Sequence, residues 1–337
     1  MEAILSISFI ISFLVTSLML PKWIIQAKKY GFTGKDMNKY REVRAAEGGG
    51  LTVVAGFILG ILIYVALKKF YFTSNENVIE IFAITTSILI LALIGLIDGS
   101  LGWKIGLRRR FRILLCLFAA VPLMVINAGQ SAITIPLIGH VNMGLLYPLI
   151  LIPLGIVATS TTFNFLAGYN GLESGQGIIM ISALSLVAYL TGSTWLALIG
   201  LIMVFSLIAF WIYNKYPAKV FPGDVMTYPV GGMIAIMAIL GNFERIALFF
   251  FIPYIIEVIL KARGKLVKQS FGKPNKDGSL DLRYSKIYGL EHFVIYLHSK
   301  LGIKPTEKKV VCTIHVIQIV IIAFGFFLFR EHIFSRL

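Results

Sequence analysis

Apolar runs of about 17–20 residues recur along the whole chain, and polar, glycine-bearing segments punctuate them. The runs fall near residues 3–22, 49–68, 78–97, 111–127, 144–163, 176–192, 195–213, 226–241, 246–262 and 310–329. Each approaches the ~20 residues that a helix needs to cross a bilayer core. Trp23, Tyr71, Tyr147, Trp195 and Tyr213 stand near run ends, as in interfacial aromatic belts. Ten helices place both termini on one side. The loops opposite them are 23–48, 98–110, 164–175, 214–225 and 263–309. In the last of these, Pro274-Asn275-Lys276-Asp277-Gly278 predicts a β-hairpin turn. After it, Ile287, Leu290, Phe293, Val294, Leu297 and Leu301 recur at helical spacing, with Lys286, Glu291, His298 and Lys300 elsewhere around the helix. That predicts an amphipathic helix lying at the membrane interface. The pattern as a whole predicts one all-α, polytopic membrane domain over 1–337.

Composition agrees. Of 337 residues, 58% are hydrophobic and the mean hydropathy is +0.85, above the roughly 45–50% apolar content of soluble domains. The first apolar run (Glu2 to Pro21) lacks a cationic leader and a small-residue cleavage site, so it reads as a retained helix. Cys116 and Cys312 both lie within apolar runs, which argues against a disulfide or zinc framework. Charge then gives the sidedness. The five motif-side loops and their flanks carry 26 of the 31 Lys and Arg residues. Lys68, Lys69, Arg245, Arg330 and Arg336 are the other five. The positive-inside rule makes the loop side cytoplasmic and the termini extracytoplasmic. The net charge of +15 reflects this topology and anionic lipid. A nucleic-acid binder would need a basic soluble module, and the chain has none.

The loop from Asn164 to Gly175 holds two Asn (164 and 170), Glu173 and three Gly in twelve residues. Glycines let backbone approach a ligand, and Asn offers both an acceptor and a donor, which suits a metal or a nucleobase edge. A polar turn capping two helices would explain one Asn and one Gly. The loop 214–224 ends in Phe221-Pro-Gly223-Asp224. Asp224 fits a helix N-cap, but carboxylates at membrane depth are expensive and usually functional. With Asn164 it could hold a hard cation. Phe221 could pack or stack on a base. Asp98 ends the third run in Gly95-Leu-Ile-Asp98-Gly99, and the basic run Lys104, Arg108, Arg109, Arg110 and Arg112 follows. Taken alone that run reads as membrane anchoring; beside a phosphate site it could clamp phosphates. In the first loop, Glu47 precedes three glycines that open a helix, which allows tight helix packing or close backbone approach. Glu47 could complement the helix dipole or bind substrate.

In these motifs the chain resembles the polyprenyl-phosphate N-acetylhexosamine-1-phosphate transferase family, nearest the archaeal and eukaryotic branch that begins N-glycan assembly. The motifs are Gly34-x-Asp36-x-Asn38-Lys39, Glu47-x-x-Gly50, Gly95-Leu-Ile-Asp98, the stretch from Asn164 through Asn170-Gly-Leu-Glu173 to Gln176, Tyr216 to Asp224, and Gly278 to Lys286. They lie in family order between residues 34 and 286. The resemblance implies a ten-helix fold with a cytoplasmic active site. It implies transfer of a hexosamine-1-phosphate, most readily GlcNAc-1-phosphate, from its UDP form to a polyprenyl or dolichyl phosphate. It further implies Mg²⁺ (or Mn²⁺) at Asn164 and Asp224, with Asp98 beside them in catalysis. The substrate-binding residues it implies are Lys39, Glu47, Arg108, Asn170, Glu173, Phe221 and Lys268. It leaves a homodimer open, and the compact loops favour an archaeal cell membrane over an endoplasmic reticulum.

Two departures from the family pattern bear on function. Gly99 stands where a second acidic residue is usual, and Lys268-Gln269-Ser270-Phe271-Gly272-Lys273 stands where His and Arg commonly meet the sugar. The first keeps an alternative open: a catalytically weakened polytopic lipid-binding or transport protein, in which acids such as Glu257 belong to a substrate path.

Overall fold

The computed structural model describes residues 3–100, 106–135 and 139–334. Lys104 of the basic run lies outside the described residues, as does the Arg109 side chain. Twelve helices carry the argument: α1 (Ile7–Lys29), α2 (Gly50–Ala66), α3 (Val78–Ser100), α4 (Arg109–Val125), α5 (Ile152–Phe163), α6 (Leu172–Leu190), α7 (Thr194–Asn214), α8 (Asp224–Gly241), α9 (Glu244–Phe250), α10 (Ile252–Arg263), α11 (Leu290–Lys300) and α12 (Glu307–Leu328). Among the described residues seven stretches, built on α1, α2, α3, α6, α7, α8 and α12, are long and apolar enough to cross a membrane. The chain is therefore an integral membrane protein.

The other three expected spans differ in form. The expected span 111–127 becomes the 17-residue α4, which ends at Val125, and residues 144–163 contain a π-helical turn (Tyr147–Leu151) before α5. The expected span 246–262 is two helices that meet at Phe251, just ahead of Pro253. Proline cannot donate to the preceding turn, so it opens a new helix more readily than it continues one.

The most enclosed helix is α8, which packs on α2, α3, α5, α6, α7 and α9, whereas α1 and α12 sit at the rim with large apolar side chains facing outward. Lipid tails satisfy those outward faces as well as a core would, so contact between spans depends on close packing and interhelical hydrogen bonds. Between α1, α2 and α7 the Ser12 hydroxyl donates to the Ile202 carbonyl at 2.8 Å, Thr16 and Ser206 hydroxyls meet at 2.7 Å, and Ser206 donates to Val53 at 2.7 Å.

Among the described residues three two-stranded antiparallel ladders decorate the helices: β1 (Thr33–Lys35) with β2 (Arg44–Ala46), β3 (Ala132–Ile135) with β4 (Gly139–Asn142), and β5 (Lys273–Pro274) with β6 (Leu280–Asp281). The last is the hairpin expected at Pro274–Gly278; periodicity did not predict the other two. The expected amphipathic helix is α11, with a different inner face. Glu291 and His298 point inward with Leu290, Val294 and Ile295, while Phe293, Tyr296 and Leu301 are exposed. Apolar spacing misassigned the face because α10 and α12 present polar partners to α11, such as the Thr313 hydroxyl that meets the His298 ring at 2.9 Å.

Candidate active site

Two close approaches assemble the site. Gly49 N–H donates to the Phe221 carbonyl and Gly50 N–H to the Pro222 carbonyl, both at 3.0 Å. A side chain on Gly50 would lie 2.6 Å from the Pro222 oxygen, so only glycine lets α2 begin against this loop. The Phe221 N–H also donates to Ala46 at 2.7 Å, which joins the first and fourth motif loops through backbone. At Gly95 a side chain would lie 2.6 Å from the Val225 nitrogen, so α3 presses directly on the start of α8. Glu47, Phe221, Asp224 and Asp98 are thereby drawn to one end of the bundle.

A cavity of 960 Å³ opens there, walled by the motif loops, the first turn of α8, the start of α4 and the segment after α10. Of the residues expected at a site, Asn164, Asp224, Glu47, Glu173, Phe221 and Lys268 line it. Asn164 Nδ2 donates to Asp224 Oδ1 at 2.8 Å, and the Thr227 hydroxyl donates to Asn164 Oδ1 at 3.2 Å. The carboxyl of Asp98 adjoins that of Asp224. Asp98 is buried behind the wall, where it accepts from the Leu107 N–H at 2.7 Å and the Tyr228 hydroxyl at 3.1 Å. Arg112 pairs with it at 2.7 Å and itself reaches the cavity. Glu173 accepts from the Gly168 N–H at 2.8 Å, and Lys268 stands 4.9 Å from the centre of the Tyr284 ring.

Three expected contacts lie elsewhere. Arg108 borders a separate surface pocket with Arg110 and Phe111. Lys39 and Asn170 belong to a latch behind the cavity: Lys39 bonds Glu307 and lies 3.0 Å from Asp36, whereas Asn170 donates to Asp36 at 3.1 Å and receives the Ala218 N–H at 2.9 Å. Burial works against the charge on Lys39, but Glu307 and Asp36 more than offset it and raise its pKa. Arg112 is the member of the basic run that reaches the cavity, whereas Lys261 belongs to no charge run that was singled out. Lys261 was legible only as the partner of Glu257 one helical turn earlier.

Glu47 gives a pH signature. Burial lifts its carboxyl above the ordinary carboxylate range, against the Gly48 N–H that favours the charged form. A raised folded-state value means that stability present in acid is lost as pH rises through it. Glu47→Gln is therefore expected to melt with wild type near pH 4 and a few degrees higher at pH 7–8. Parallel melting curves at every pH would refute this.

The donors fit a hard cation. Asp224 and Asp98 adjoin, and two neighbouring carboxylates resist joint ionisation unless a proton or cation intervenes. A half-turn of the Asn164 amide presents its oxygen beside them. Among the described residues no three or more His, Cys, Asp or Glu side chains converge as a metal cage. This suits an ion such as Mg²⁺, which takes one or two carboxylates and completes its shell with water and phosphate oxygens.

Comparison with known proteins places this geometry. The glycosyl transferase family 4 profile matches residues 81–242, which include Asp98, Asn164 and Asp224. A Saccharolobus solfataricus protein, provisionally named as a UDP-N-acetylglucosamine–dolichyl-phosphate N-acetylglucosaminephosphotransferase, is 41% identical over 292 residues, 86% of each chain. The Dictyostelium discoideum protein of that name is 28% identical over 77% of this chain and 70% of its own. A Streptococcus equi phospho-N-acetylmuramoyl-pentapeptide-transferase is 31% identical over 74% of this chain and 76% of its own. With matching motifs at one end of a membrane bundle and this extent of similarity, the chain belongs to the polyprenyl-phosphate N-acetylhexosamine-1-phosphate transferases of glycosyl transferase family 4.

Proposed function

We propose that the protein transfers N-acetylglucosamine-1-phosphate from UDP-N-acetylglucosamine to a dolichyl or other polyprenyl phosphate at the cytoplasmic face of an archaeal cell membrane, the first step of N-glycan precursor assembly. The observation that carries the reading is the single cavity in which Asp224, Asn164, Glu47, Arg112 and Phe221 converge. A transport path would place its polar groups near the bilayer midplane, whereas these lie at helix ends.

In this reading a lipid phosphate oxygen attacks the β-phosphorus. The bond from that phosphorus to the bridging oxygen breaks, and UMP leaves with the electron pair. Arg112 offsets pyrophosphate charge, Phe221 offers the uracil a face, and Asp98 holds Arg112 in register. Asp224 and Asn164 would hold Mg²⁺ or Mn²⁺, which supplies charge neutralisation when bound. The experiment is UMP release by purified protein given UDP-GlcNAc, polyprenyl phosphate and Mg²⁺. Release that requires both lipid and metal is expected; none with any UDP-sugar would defeat the proposal.

Gly99 bears on the same assay. A side chain there meets nothing within 4 Å, so Gly99→Asp fits the fold. An obligatory general base contributes about 10²–10⁴-fold. The attacking phosphate is already an anion, and phosphoryl transfer depends mainly on positioning and charge. Gly99→Asp is expected to change UMP release by less than about tenfold. A larger gain would show that the natural site is a weakened one.

A further inference from the structure

At the cytoplasmic end of α10, Lys261 is only 7% exposed, yet it lines the cavity. Its ammonium bonds the Ser270 hydroxyl and stands 3.3 Å from Glu257 Oε1. Glu257 is fully buried, and its other oxygen accepts the Leu290 N–H at 2.6 Å, which fixes it to the start of α11. Glu291 crowds the same place: a side chain on Gly289 would lie 2.6 Å from Glu291 Oε2 and 3.0 Å from Glu257 Oε1. Burial, then the charge of Glu257, pushes the Glu291 carboxyl well above the ordinary carboxylate range. Lys261 and Glu257 remain as a charged pair that the transfer chemistry above does not use.

Burying a charged pair is costly, and here one partner faces a ligand-sized space. Because Glu257 cancels its charge, Lys261 presents N–H donors without a net positive charge. That suits a neutral acceptor better than a phosphate. Its neighbours on the wall agree: the Ser270 hydroxyl, the Gln269 amide and the Phe271 ring. Hydroxyl and amide groups match sugar hydroxyls and an acetamido group, and an aromatic ring matches the C–H face of a pyranose.

We infer that Lys261 donates a hydrogen bond to the hexosamine ring of the nucleotide sugar and discriminates among sugars, with Glu257 as the residue that positions it. The inference rests on the UDP-sugar reading above. The test is calorimetric binding of UDP and of UDP-GlcNAc to detergent-solubilised wild type, Lys261→Met, Lys261→Arg, Glu257→Gln and Ser270→Ala. Lys261→Met is expected to weaken UDP-GlcNAc at least tenfold and UDP less than twofold. Lys261→Arg should restore most of the loss, while Glu257→Gln and Ser270→Ala should show the same selective loss at smaller size. Equal weakening of both ligands, or of neither, across the variants that fold would overturn it. Wild type that binds UDP-GlcNAc without releasing UMP would defeat the proposed function alone, since the binding comparison still decides the role of Lys261. Wild type that binds neither ligand overturns both.

Discussion

Alanine at Asp224 or Asn164 is expected to lower UMP release by about 10³-fold or more, equivalent to about 4 kcal/mol of transition-state stabilisation. Asp224 is the carboxylate where the α8 start, the α3 end and the Asn164 amide meet. Removing one preorganised electrostatic group commonly costs 10²–10³-fold, and loss of a metal position adds to that. Asp224→Asn separates charge from shape. It keeps a side chain that can bond Asn164, so the fold should survive, but it cannot neutralise a cation. Its loss should approach that of Asp224→Ala and should not be recovered with excess Mg²⁺. Unchanged melting with lost turnover would establish chemistry at this position, whereas wild-type turnover in both alanine variants would end the metal assignment.

How much of this was legible in the sequence differs by kind of signal. Span existence was readable because apolar runs of this length have few alternatives, and α1, α2, α3, α6, α7, α8 and α12 fall where hydropathy placed them. The break between α9 and α10 was not, because apolar residues continue without interruption on both sides of Pro253, two turns into the expected run. The triple glycine at 48–50 left packing and close backbone approach open; its N–H groups meet Phe221 and Pro222. Asn164 and Asp224 could be paired from chemistry, since an amide and a carboxylate at two span ends suit one cation. Lys39 and Asn170 bear the motif yet face Asp36 and Glu307 rather than the cavity. A motif shows that residues are needed together, not which of them touches the ligand. Glu307 had no signal, because it opens the last span far from every motif.

Arg112→Met is expected to damage both stability and turnover. Asp98 has a side chain only 3% exposed, and Arg112 is its paired cation, itself 27% exposed. Stripping the partner from a buried charge costs about 3–5 kcal/mol. Partial exposure of Arg112 reduces that to about 2–3 kcal/mol, a fall in melting temperature of roughly 3–4 °C for a chain of this size. Asp98→Asn in the Arg112→Met background removes the stranded charge and should recover most of the melting temperature. Turnover should not recover, because the cavity still lacks the guanidinium. Recovery of both would assign the pair a structural role. Recovery of neither would mean that the loss came from packing of the arginine stem. Stability alone gives no reason to bury such a pair, since apolar side chains of similar volume often hold a core at least as well. The pair makes chemical sense here because Arg112 also lines the cavity that contains Asp224: Asp98 holds it in one rotamer where an anionic pyrophosphate would lie.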